Sequence, residues 1–74
     1  MVYKDGLLAV DGGLIEVTPS NVSSKVAGHD IGQIQSATEQ ARIDSPTDHL
    51  GRVRRERLGD GLMILRQYLE GRVS

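Results

Sequence analysis

Three features of the sequence predict an α+β protein, an N-terminal β-hairpin followed by a helical hairpin. An Asp11-Gly12-Gly13 triplet separates two short aliphatic runs, 7–10 and 14–17. Residues of helical periodicity fill 30–43. A second and longer helical pattern, 46–71, follows a start signal in "DSPTD" and carries a dense arginine run.

The hairpin, within 1–18, is predicted by its turn chemistry. Asp-Gly and Gly-Gly supply the positive φ angles that tight hairpin turns require. A three-residue loop over Asp11-Gly12-Gly13 places Val10 opposite Leu14 and Ala9 opposite Ile15. A lone hairpin is marginal in water, so a helix or another chain must cover it.

Residues 19–29 read either as a linker or as a short helix. Thr18 can cap such a helix with Pro19 as its first residue, and the Ser and Asn content suits a linker equally well. The middle helix, 30–43, opens on Asp30 and Gln33, spaced as a capping box. Ala27, Ile31, Ile34, Thr38 and Ala41 share one face at the helical spacing. These are mostly small residues, so the face permits close approach and buries little area. Gly28 and Gly32 fit a small-xxx-small spacing, read here as the start of a helix. For the last helix, Ser45 can cap, Pro46 suits the first turn, and Asp48 stands beside the positive helix end. Pro46 also disfavours helix at Ser45, which separates the two helices.

The last helix has a phase conflict. Leu50 and Val53 define one apolar direction, and Leu58, Leu62, Leu65 and Leu69 define another about 110° away on the 3.6-residue period. On a single straight helix, Arg54 and Arg57 fall inside the combined arc, where unpaired guanidiniums are costly. Three arrangements resolve this. The helix can kink at Gly59-Asp60-Gly61, since glycine costs about 1 kcal/mol in a helix interior. The arginine stems can cross the core with their heads in water. Or the arc can face another chain that offers carboxylates. Asp48, Arg52, Glu56 and Asp60 stand at successive i,i+4 positions, as do Arg66 and Glu70. This leaves Arg54, Arg55 and Arg57 without a local partner.

Composition limits what such a fold can do. The chain has 74 residues, no Cys, no Phe and no Trp. A domain this small hides only about 60% of its unfolded surface, and twenty aliphatics (Leu, Val and Ile) and two tyrosines must supply its core. Disulfides and thiolate zinc sites are excluded, so oligomerisation or docking is the expected reinforcement. The net charge of −1 gives no global attraction to nucleic acid or membrane. The charge is uneven: residues 1–44 hold three cations against six acids, and residues 45–74 hold six arginines against four acids. No apolar run reaches the ~20 residues of a membrane span, and the absence of cysteine points to a reducing, cytoplasmic setting.

No phosphate loop, dinucleotide fingerprint or zinc-protease motif occurs. His29-Asp30 and Asp48-His49 could form a metal site only if their helix ends met. The helical hairpin instead separates them by about 20 Å, and both aspartates suit capping. The segment 26–43 can be written as a helix-turn-helix with Gln33, Gln35, Ser36 and Gln40 as readers, but Arg42 alone serves phosphates. The expectation is therefore a non-enzymatic interaction or assembly subunit without cofactor or metal. It would bind copies of itself or a larger protein complex through Arg54, Arg55, Arg57, Leu58, Leu62, Leu65 and Leu69. A nucleic-acid-binding regulator using the arginine-rich helix is the alternative.

Overall fold

A computed structural model describes residues 3–71. The chain is an α+β protein in which an antiparallel hairpin, β1 (Gly6–Val10) and β2 (Gly13–Val17), precedes three helices. The helices are α1 (Val22–Val26), α2 (Ile31–Ile43) and α3 (His49–Leu69). Both long helices pack on β1, and α2 packs on α3. Among the described residues, no helix is long and apolar enough to cross a membrane.

The hairpin turn is shorter than predicted. Asp11 and Gly12 both adopt positive φ, 53° and 79°, the signature of a two-residue type I′ turn. Gly13 therefore belongs to β2, and the register pairs Val10 with Gly13, Ala9 with Leu14 and Leu8 with Ile15. The expected three-residue loop is thus corrected by one residue. The I′ turn prevails because its twist matches that of the strands it joins. The shift sets Ile15 beside Leu8 on the core side and moves Leu14 to the other face.

Residues 19–29 contain the short helix α1. Thr18 and Asn21 exchange capping bonds: Asn21 N–H donates to Thr18 Oγ1 (3.2 Å), and Thr18 N–H donates to Asn21 Oδ1 (2.7 Å). These bonds close the turn ahead of the helix in the reciprocal pattern of a capping box; the helix itself begins at Val22 after Asn21, so Thr18 is not its cap and Pro19 is not its first residue. Gly28, at φ 81°, then reverses the chain. Asp30 caps α2 by accepting the Gln33 N–H (3.2 Å). Of the predicted α2 stripe, Ile34 and Thr38 are buried, Ile31 and Ala41 are half-buried, and Ala27 lies outside the helix and is exposed.

The start of α3 also differs from expectation. The cap is Asp48, which accepts the Gly51 N–H (2.9 Å), and the helix begins at His49. Ser45 instead ends α2, donating its hydroxyl to the Ala41 carbonyl (2.8 Å). Residues 44–48 thus form a tight corner between the helices. A Cβ at Gly51 would lie 2.5 Å from the Pro46 carbonyl carbon, so only glycine lets the corner fold back onto the first turn.

The core contains Leu8, Val17, Val22, Val26, Ile34, Leu62, Ile64 and Leu65, with Tyr3, Val10, Ile15, Ile31 and Tyr68 packed at its margin. The helix α3 runs unbroken through Gly59-Asp60-Gly61. A break at these glycines is therefore not how the phase conflict is resolved. Gly61 is the point where α3 crosses β1: a Cβ there would stand 2.6 Å from the Leu7 carbonyl carbon and 2.9 Å from its nitrogen. A Cβ on Gly6 would meet the Gly61 Cα at 2.6 Å. Two glycines without side chains allow backbone to touch backbone at this crossing.

Candidate functional site

Burial along α3 divides the predicted interaction residues. Leu58, Leu62 and Leu65 are buried within the chain, as are Ile64 and the two contact glycines Gly51 and Gly61. These leucines hold the fold together and present no surface to a partner. Leu69 is exposed at the end of the helix. The other apolar direction remains outside, with Leu50 75% and Val53 38% exposed. The conflict between the two arcs is settled by burying one and leaving the other in solvent. Across the corner, Ile43 at the end of α2 is 73% exposed. Three aliphatic side chains therefore flank the α2–α3 turn without cover.

The three arginines that lack local partners fare differently from one another. Arg55 Nη1 donates to the carbonyls of Pro46 (2.7 Å) and Ser45 (3.4 Å), and so ties the corner to the second turn of α3. Arg57 reaches across to Glu16 of β2, 3.7 Å away. Arg54 is exposed. The predicted ladder through Asp48, Arg52, Glu56 and Asp60 does not form. Asp48 serves the Gly51 amide, and no ion pair joins these four side chains among the described residues. Exposed pairs of this kind are worth about 0–1 kcal/mol, less than a cap contributes at a helix start.

The remaining polar residues mostly serve local structure. On α2, Gln33, Ser36 and Gln40 are exposed while Gln35 is half-buried. Gln40 donates to Asp44 (3.0 Å), and Arg42 pairs with Glu39. Asp30 and Asp48 both act as caps, Asp48 in the place expected of Ser45. His29 lies 3.7 Å from Asp11, bringing the hairpin turn to the start of α2. The cleft between these elements, lined by Val10, Asp11, His29, Gln33 and Ile34 among others, has a volume of about 230 Å³. No group of three or more His, Cys, Asp or Glu able to hold a metal ion occurs among the described residues.

The two edges of the hairpin are unequal, a feature the sequence did not announce. The Ala9 N–H donates to Thr38 Oγ1 (3.0 Å), and the same hydroxyl donates to the Ile34 carbonyl (2.6 Å). The outer edge of β1 is thus closed by α2, and further along by α3 at Gly61. Ala9 bonds outward, so Ala9 and Leu14 form a non-hydrogen-bonded pair of the ladder. By alternation, the backbone groups of Leu14 and Glu16 point to the outer edge of β2. Among the described residues nothing bonds to them there. The side chains agree, since Leu14 is 42% exposed and the Glu16 side chain 71% exposed.

Compared with known protein families, with curated proteins and with solved structures, the chain matches none.

Proposed function

We propose that this protein is a small non-enzymatic interaction or assembly subunit that self-associates or docks on a larger protein complex. The observation that carries this reading is the uncovered apolar corner formed by Ile43, Leu50 and Val53. Single exposed aliphatics are ordinary on protein surfaces. Here, however, a chain with twenty large aliphatics and no Phe or Trp leaves three of them bare at one turn. Arg54, one helical turn beyond Leu50, gives this corner a basic rim, and arginine is favoured at protein interfaces. A partner surface with apolar anchors and flanking carboxylates suits it.

Sedimentation over a concentration series, joined to chemical unfolding, tests the reading. Association at micromolar to millimolar concentration, with stability that rises with concentration, is the expected result. A monodisperse monomer that also unfolds cooperatively with ordinary stability would remove the basis for it. The nucleic-acid reading is the weaker one, because Arg55 and Arg57 are engaged within the chain and Arg52 and Arg54 are left to meet phosphates. Titration against duplex and single-stranded DNA at low salt separates the two.

A further inference from the structure

We infer that the outer edge of β2 is a self-pairing edge, on which a second copy of the chain adds its own β2 antiparallel across a two-fold axis through Ile15. This rests on the self-association half of the reading above, but places that contact at the hairpin edge and leaves the apolar corner to the larger complex. The hairpin has one closed edge and one open one. Thr38 and Gly61 occupy the β1 side, while the Leu14 and Glu16 backbone groups of β2 have no partner among the described residues. An edge of this kind is a template for another strand, and a two-stranded sheet gains most from acquiring more strands.

The choice of a second copy over an unrelated strand comes from the edge's complementarity to itself. With Ile15 on the axis, Leu14 of each copy faces Glu16 of the other. Both are outward-bonding residues, so each such pair exchanges two hydrogen bonds. All the outward N–H and C=O groups of Leu14 and Glu16 in both copies are then satisfied. The neighbouring registers do worse. Centring on Glu16 sets two carboxylates directly opposite, which is unfavourable. Centring on Leu14 sets Glu16 against Gly12, which is committed to the turn at φ 79°. In the favoured register the half-buried Ile15, packed on the core margin, meets its own copy in a non-hydrogen-bonded pair. Such pairs have Cα atoms about 4.5 Å apart, so the two cores meet across the axis. A symmetric contact of this kind closes at a dimer.

The chain has no cysteine, so single-cysteine variants report the contact directly. Ile15→Cys places two thiols at a separation a disulfide can span. Leu50→Cys is the control at the uncovered corner. Each variant is first checked for native circular dichroism, then oxidised mildly at concentrations where sedimentation shows the dimer. The expected result is rapid cross-linking of Ile15→Cys and slow cross-linking of Leu50→Cys. If the dimer is present but Leu50→Cys cross-links and Ile15→Cys does not, edge pairing is overturned while self-association stands. A monomer at every concentration removes both. A charge test needs no cysteine. Leu14→Glu sets like charges opposite at both symmetric pairs and weakens the dimer about tenfold, whereas Leu14→Lys faces Glu16 of the other copy and holds or tightens it. Equal effects of the two substitutions would contradict the register.

Discussion

The helix–strand crossing at Gly61 makes opposite predictions for two glycines on the same helix. In isolation, glycine to alanine in a helix interior stabilises by about 1 kcal/mol. At Gly59 a new Cβ would meet the Arg42 guanidinium at 3.9 Å, an ordinary contact. Gly59→Ala should therefore keep the propensity gain, about 1 kcal/mol, and raise the melting temperature by about 4–8 °C. At Gly61 the new Cβ would lie 2.6 Å from the Leu7 carbonyl carbon, where ordinary contact begins at 3.4 Å. The obstacle is backbone, so no rotamer change relieves it, and α3 or β1 must move by several tenths of an ångström or more. Overpacking costs about 1–3 kcal/mol, and a clash with a strand that is itself clamped belongs at the upper end. After the propensity gain, Gly61→Ala should lose about 2 kcal/mol, a fall of about 8–16 °C. Thermal melts followed by circular dichroism on the wild type and the two variants measure this. A Gly61→Ala protein that melts at or above the wild type would refute the close crossing.

Two other substitutions probe the edge and the corner. Thr38→Val keeps the shape but leaves the Ala9 N–H facing a methyl group; it should cost about 1–3 kcal/mol in urea unfolding and speed exchange of the Ala9 amide, whereas Thr38→Ser should restore most of both. Gly51→Ala, again a better helix former, should destabilise by about 1–3 kcal/mol because its Cβ would press on the Pro46 backbone, read as a lower denaturant midpoint with an unchanged slope.

Much of the fold was legible where the signal was local. The Asp30 cap, the hairpin at Asp-Gly and the break near Pro46 all depend on residues within four positions of one another. Legibility failed where two local signals competed. Asp11-Gly12-Gly13 allowed loops of two or three residues, and Ser45 and Asp48 were both acceptable caps for α3. The two-residue turn prevails because its twist matches the strands it joins, and Asp48 caps α3 where Gly51 lets the corner fold back onto the first turn. The arginines show the same division. Glu56 and Asp48 were the nearest acids in sequence to Arg52, but nearness in sequence conferred no pairing. Arg55 was taken by carbonyls nine and ten residues back, and Arg57 by Glu16 on a strand.

By itself the sequence determined the order and type of the hairpin and the two long helices, because turn, cap and periodicity signals act over one or two helical turns. It also determined that the core would be thin, since composition alone limits what can be buried. Only the tertiary structure decided which of the two apolar arcs on α3 went inside. Leu58, Leu62 and Leu65 are buried because Gly61, on the same stretch of helix, lets α3 press onto β1, while Leu50 and Val53 precede that contact and stay in water. Gly61, which with Gly59 reads locally as a weak point in a helix, serves globally as the close contact between α3 and β1, because helix propensity describes an isolated helix and packing depends on what lies opposite. The open edge of β2 is of the same kind: nothing in "GLIEV" states that α2 and α3 would both cover β1 and leave its neighbour bare.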